Sequence, residues 1–193
     1  TPPGARPQAN LELALIGNGT VGALLDRSGR VVWCCMPRFD SPPVFDALLN
    51  SHDGLPLDGA MTVELEGLTR VEQAYDPGTA IVRTRMWDAA GQGIELVDFA
   101  PRFINRDRMF RPAQLVRRVR PLAGHPRVRI TVRPHGDWAA SAPTVTIGSH
   151  HLRFGIGINV IDVSQTQLTC LRHPRPDCAR MRTALNDWYG VKV

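Results

Sequence analysis

The stretch Pro37-Arg38-Phe39-Asp40-Ser41-Pro42 concentrates more binding chemistry than any other part of this 193-residue chain. An aromatic ring stands between a cation and a carboxylate on a proline-bounded loop. Phe39 offers a face that stacks on a pyranose ring, and Arg38 and Asp40 offer hydrogen bonds to hydroxyls; the same loop can present its side chains to a neighbouring domain. The structural alternative is that Arg38 and Asp40 pair with each other or cap the next helix while Phe39 fills the core, and the sequence favours it. Trp138, in Gly136-Asp-Trp-Ala, falls on a turn and is the best candidate for an exposed aromatic. Trp33 and Trp87 fall on strands, where a tryptophan is more often core.

Other reactive residue types do not assemble into sites. His150 and His151 are adjacent on a strand, so they face opposite ways and share no metal. Cys34 and Cys35 are likewise adjacent, no C-x-x-C occurs, and no histidine stands at zinc spacing from them. Buried thiols in a reducing compartment, and hence a cytoplasmic location, are the expectation. Asp76 and Asp98 read as turn and strand-end residues rather than as an acid–base pair. Gly17-Asn18-Gly19 lacks the lysine and helix of a phosphate loop and reads as a turn. No catalytic residue, metal or cofactor is expected within the chain.

The formal charge is +5, and Arg102, Arg106, Arg108, Arg111, Arg117, Arg118 and Arg120 crowd into one short stretch. Such a run is the footprint of a nucleic-acid surface, but no interleaved aromatics or nucleic-acid motif accompany it. Solvated strand and loop faces, with no nucleic-acid partner, are expected instead. No apolar run approaches the ~20 residues of a membrane span.

The elements that would carry these residues follow a period of two. Residues 20–26 and 30–35 are apolar strands joined by Asp26-Arg-Ser-Gly29; residues 80–88 and 94–99 repeat the design around Asp88-Ala-Ala-Gly91. Tyr75-Asp-Pro77-Gly78-Thr places Pro and Gly as a type II turn requires. Further strands are expected over 114–120, 127–133, 144–147, 151–154 and 158–163. In residues 127–133 the valines and isoleucine face one way and the arginines the other, a half-buried strand. Helical spacing appears only in Pro43–Asn50, with Ser41 as N-cap and Pro42-Pro43 in the first turn. About ten short strands and one short helix make an all-β antiparallel sandwich. Residues 1–10, with three prolines, read as a flexible leader, 11–163 as the sandwich, and 164–193 as a divergent tail, with a loop around 172–178 and a weak helix over 179–188.

An ordered set of motifs runs through the sandwich region. Leu15-Ile-Gly-Asn-Gly-Thr, Ala23-Leu-Leu-Asp, Gly29-Arg-Val-Val-Trp33-Cys34, Pro37-Arg-Phe-Asp-Ser-Pro42 and Phe45-Asp-Ala-Leu-Leu49 come first. Gln73-Ala-Tyr-Asp-Pro-Gly-Thr79, Val97-Asp98-Phe99-Ala-Pro101, Leu115-Val-Arg-Arg-Val119 and Gly148-Ser-His-His-Leu-Arg-Phe154 follow. Together they resemble the amino-terminal domain of bacterial glycoside hydrolase family 15, the glucoamylase- and trehalase-like proteins. The family usually has Asn where His150 stands, and residues 159–193 fit its pattern poorly. The resemblance implies a β super-sandwich, here incomplete, that precedes an (α/α)6 barrel. That barrel hydrolyses α-glucosidic bonds with inversion, using two glutamates roughly 6.5–9.5 Å apart. The five glutamates here, at 12, 64, 66, 72 and 95, lie in no stretch like the catalytic motifs. The implied role is therefore a non-catalytic domain that supports the barrel and shapes its substrate site, with Arg38, Phe39, Asp40 and Trp138 as contacts to the barrel or to an α-glucoside. The alternatives are a stand-alone carbohydrate-binding module and a basic nucleic-acid- or protein-interaction module.

Overall fold

A computed structural model of the chain describes residues 11–50, 58–136, 138–149, 151–156 and 159–164. His150, Asp137, Cys170, Cys178 and the leader and tail assignments lie outside these residues.

The described chain is almost entirely antiparallel β-structure, with one short helix. The first sheet runs β1 (Ala14–Gly17), β2 (Gly22–Leu25), β3 (Val31–Cys35), β5 (Ala60–Leu65), β12 (Val128–Arg133), and β4 (Pro43–Phe45) pairs with β3. The second runs β11 (Val116–Ala123), β8 (Gly93–Phe99), β7 (Val82–Asp88), β6 (Leu68–Tyr75). A third holds β13 (Thr144–Ile147), β14 (His151–Ile156) and β15 (Asn159–Ser164). A separate two-stranded hairpin is formed by β9 (Phe103–Asn105) and β10 (Arg108–Phe110).

Alternation decides which faces meet. Val63 and Leu65 of β5 pack on Met86 of β7 and on Ile94 and Leu96 of β8, with Val128 and Ile130 of β12 closing the side. This face-to-face layer defines a β-sandwich. At the other end Ile16, Ala23, Leu25 and Cys34 cluster with Val82 and with Leu152, Phe154 and Ile156 of β14, so the third sheet caps the core. Burying each of these larger side chains stabilises the fold by about 1.5–3 kcal/mol. Cys34 belongs to this core, and burial pushes its thiol up to about 12, so it is a poor nucleophile.

The hairpin turns use one device twice. Asp26 Oδ1 accepts hydrogen bonds from the amides of Ser28 and Arg30, and Asp88 Oδ1 accepts from those of Ala90 and Gln92. Gly29 and Gly91 supply the positive φ (69° and 77°) that each turn needs. The Asp76–Thr79 turn closes through Thr79 N–H to Asp76 O, with Gly78 at φ 70°.

The helix differs from its sequence pattern. Residues 43–45 form β4, and the helix α1 covers only Ala47–Asn50, with Leu49 N–H donating to Asp46 O. Asp46, not Ser41, stands at its start. Pairing of Phe45 with Cys34 and of Pro43 with Cys35 draws the first part of the segment into the sheet, and this tertiary pairing overrides a helical spacing only eight residues long.

Two ionic clusters sit on opposite faces of the second sheet. On the inner face Arg117 donates to Asp98 at 2.6 Å and 3.3 Å and reaches across to the carbonyls of Gly29 (2.6 Å) and Met61 (3.4 Å). On the outer face Glu95, fully buried, accepts from Arg83, Arg85 and Arg120. Burial alone would push the Glu95 carboxyl up. The hydrogen bonds from Arg120 and Arg85 and the charges of Arg120 and Arg83 outweigh it, and Glu95 titrates below the ordinary glutamate value of 4.5. The unfolded chain therefore binds the extra proton first, so the Glu95 contribution is present above 4.5 and is lost as pH falls through the lower folded value. Urea unfolding as a function of pH is expected to show this acid-side loss, with a shallower slope in Glu95→Gln. An unchanged slope in that variant would count against Glu95 as the source.

No helix of the described residues is long and apolar enough to cross a membrane.

Candidate functional site

The loop 37–42 leaves β3 after the cis peptide Met36–Pro37 and returns as β4. Its backbone is pinned by Phe39 N–H to Thr20 O (3.0 Å) and by a tight turn, Ser41 N–H to Arg38 O (3.1 Å). Arg38 and Asp40 form a two-pronged pair, Nε to Oδ1 at 2.9 Å and a terminal nitrogen to Oδ2 at 3.0 Å. The Arg38 hydrogen bonds hold the Asp40 carboxyl below its ordinary value. Solvent screening leaves such a surface pair little net stabilisation, so it orients two hydrogen-bonding groups rather than stabilising the fold.

Phe39 does not fill the core. It is 66% exposed, beside the exposed ion pair. Trp138 is also exposed, and its left-handed backbone (φ 58°) holds the indole against Trp33, ring centroids 6.0 Å apart and tilted by 52°. Trp33 is therefore not a core tryptophan: it lies half-buried on the outer face of the first sheet, opposite Leu24 on β2. Trp87 is also half-buried on an outer face, with the Arg70 guanidinium 4.0 Å above its ring. Strand alternation assigns a face to each residue but not which face is inward, and here both tryptophans take the outer one.

Cys35 ties the loop to the aromatic pair. Burial pushes its thiol up, the Trp33 indole hydrogen bond opposes this, and the nearby Asp40 charge adds to it. Trp33 and Cys35 stand two apart on β3 and so point to one face, where Trp138 packs on Trp33. The tilted indole pair and the exposed Arg38–Asp40 pair give the domain an amphipathic surface. It suits either a sugar ring, by stacking and hydroxyl contacts, or the polar rim of a protein interface. His151 lies on β14 and no group of three or more His, Cys, Asp or Glu side chains among the described residues is placed to hold a metal.

The arginine run divides among three destinations. Arg117 points into the core to Asp98, Arg118 and Arg120 lie on the outer face of the second sheet, and Arg102, Arg106, Arg108 and Arg111 surround the β9–β10 hairpin. Arg117, expected to be solvated, is the exception: its side chain is 7% exposed. A stretch so divided forms no single basic face. Asp76 pairs with Arg83 at a turn and Asp98 lies one residue from the end of β8, as their positions suggest; Asp98 is buried there.

Sequence reasoning missed Asn18. Its buried side chain accepts from the amides of Thr20 and Val21 and donates to the carbonyls of Pro101 (2.9 Å) and Pro112 (2.8 Å), the two residues that flank the hairpin. The only trace of this in the sequence is the Gly17-Asn18-Gly19 turn, which gives no hint of partners more than eighty residues away.

Among the described residues the architecture is that of a β-sandwich domain whose outer face carries exposed aromatics and charges. The family described as "Trehalase-like, N-terminal" matches residues 4–159, and the chain belongs to it. Among curated proteins it is similar to Trehalase 2 of Sulfolobus acidocaldarius, 33% identical over 91 residues, which is 47% of this chain and 14% of that protein. It is also similar to Trehalase 1 of the same organism, 52% identical over 42 residues, 22% of this chain and 7% of that protein. The matched stretches thus span a small fraction of either relative. No solved structure matches.

Proposed function

We propose that this chain is the non-catalytic amino-terminal domain of an α-glucoside hydrolase of the glucoamylase- and trehalase-like group, family 15 of the glycoside hydrolases. In that role it supports an (α/α)6 catalytic barrel and shapes the barrel's substrate site. The match to a trehalase-like amino-terminal family over residues 4–159 carries this reading. The interior chemistry is consistent with it: the buried carboxylates Asp46, Glu95 and Asp98 each bind a histidine or arginine of the fold, which holds them away from the acid and base roles of glycoside hydrolysis. The compartment is read as cytoplasmic, and no nucleic acid, membrane or cofactor is assigned to the domain.

The purified chain is expected to release no glucose from trehalose or maltose in a coupled glucose assay. Glucose release that persists through repurification and tracks the protein peak would overturn the non-catalytic assignment.

One observation favours a second reading. The exposed Trp138 ring packed at a tilt on Trp33 is the kind of surface a stand-alone carbohydrate-binding module uses. Isothermal titration with trehalose, maltose and starch fragments separates the two: heat of binding to the chain alone, lost in Trp138→Ala, would favour the module.

A further inference from the structure

The β9–β10 hairpin forms its own two-stranded sheet and pairs with no other described strand. Phe103 and Phe110 are cross-strand partners with ring centroids 5.0 Å apart, and Ile104 faces Met109 on the opposite side. Phe103, Ile104, Met109 and Phe110 are 47%, 70%, 49% and 47% exposed, so both faces of the arm are apolar and both are open. A two-stranded hairpin in water is marginal by itself. This one is held at its base by Asn18, whose amide binds the carbonyls of Pro101 and Pro112 on the two legs. At its tip Arg106 and Asp107 both adopt left-handed backbone (φ 49° and 59°), the turn that matches strand twist but that usually needs Asn or Gly. A clamp at the root and strain at the tip describe a shape kept for a purpose other than packing its own domain.

The chemistry of the arm selects its occupant. Apolar side chains line the stem, while the tip and root carry Arg102, Arg106, Arg108 and Arg111, and no salt bridge joins these four to another described residue. A lipid surface would take an arm with an apolar tip. Here the charged tip would enter first, which the hydrocarbon disfavours. A second copy of this chain carries the same net charge of +5 and is repelled by the same arginines. What remains is a protein slot with apolar walls and carboxylates at its rim and floor.

We propose that the β9–β10 arm docks, through Phe103, Ile104, Met109 and Phe110, into an acidic-rimmed apolar slot on the remainder of the hydrolase polypeptide, with the arginines of its tip paired to carboxylates there. This rests on the proposed function, since it places the slot in the portion of the protein that the trehalase relatives have and the matched stretch does not. The arm then fixes how the domain sits on its partner, and Asn18 is the positioning residue that keeps it projecting.

The test is photo-cross-linking in the full-length polypeptide that carries this chain, with benzoylphenylalanine at Ile104, mass-spectrometric mapping of the product, and trehalose hydrolysis measured on the same preparation. The expected product is an intramolecular link from position 104 to an Asp- or Glu-flanked segment beyond residue 193. Its yield is expected to fall at least about tenfold in Arg106→Glu/Arg108→Glu, since facing like charges costs several kcal/mol. These exposed substitutions leave the sandwich core intact, which circular dichroism checks. A link to residues of this domain, a link at doubled mass, or co-sedimentation of the arm with phosphatidylcholine/phosphatidylglycerol vesicles would each overturn the proposal. So would an unchanged yield in the charge-reversed protein. If the enzyme is active and benzoylphenylalanine at Phe39 links beyond residue 193 while that at Ile104 does not, only the arm is refuted. A polypeptide with no α-glucosidase activity, or none beyond residue 193, removes the parent reading and the arm with it.

Discussion

Asp98→Ala is expected to lower the free energy of unfolding by about 3–5 kcal/mol, the range for breaking a buried ion pair from one side. Asp98 is 1% exposed, and its partner Arg117 is only slightly more open. Removing the carboxylate leaves a guanidinium inside the sandwich whose remaining partners are two neutral carbonyls, those of Gly29 and Met61. The pair is not expected to be worth that much in itself, because the desolvation of two charges offsets most of their attraction. The double variant Asp98→Val/Arg117→Met should therefore recover part of the loss. It should not recover all of it, since the Gly29 carbonyl, 2.6 Å from Arg117, and the Met61 carbonyl, at 3.4 Å, then lose that donor. Burial pushes the Asp98 carboxyl up, with the Arg117 charge and hydrogen bonds opposing, to a net value above the ordinary 3.8. The native state then binds this proton more tightly than the unfolded chain, so the Asp98 contribution falls as pH rises from 3.8 through the folded value. Acid lability belongs to Glu95 and not to this pair. Urea titrations of the single and double variants measure all of this; a loss under about 1 kcal/mol in Asp98→Ala would show that water reaches Arg117.

Period-two alternation made most of the sandwich readable. It located β2, β3, β7, β8 and β11 to β15, and the Asp-to-Gly spacing marked the two hairpin turns in which the Asp side chains accept backbone hydrogen bonds. It missed β1 and β5, although their burial alternates at least in part, and it missed β4, β6, β9 and β10, where burial does not alternate. β6 is exposed along almost its whole length, β9 and β10 are apolar on both faces, and β4 has three buried residues in a row. None of these writes a period into the sequence, because the alternation comes from one face being wet and the other dry. The site was legible in residue types and not in geometry. Arg38 and Asp40 do pair, but Phe39 and Trp33 lie outside the core, and Trp33 meets Trp138 from more than a hundred residues away. Long-range contacts such as this one and the Asn18 clamp leave no local spacing to read.

Gly59→Ala is expected to cost about 3 kcal/mol or more, through strain at a positive φ together with the loss of a buried carboxylate contact. Gly59 sits at φ 70°, just before β5, and a Cβ there would stand 2.0 Å from Asp46 Oδ1 and 3.1 Å from the Ala47 nitrogen. Both the Asp46 and Ala47 amides donate to the Gly59 carbonyl, at 2.9 and 3.0 Å, so the backbone cannot move aside without breaking them. The methyl must instead displace the Asp46 carboxylate from His135 Nδ1, 2.7 Å away, in a place where Asp46 has no exposure to water. His135 N–H in turn holds the Val44 carbonyl, so the disturbance passes into β4. β4 is the return leg of the 37–42 loop, and its pairing with β3 sets where Arg38, Phe39 and Asp40 project. A glycine remote from the loop in sequence thereby governs its presentation. Gly59→Ala should lower stability and also change the Trp33–Trp138 fluorescence, and Gly59→Ala/Asp46→Gly, which removes the clash, should restore the emission more fully than the stability. Emission unchanged in the single variant would show that the knot at Asp46 stabilises the sandwich without positioning the loop.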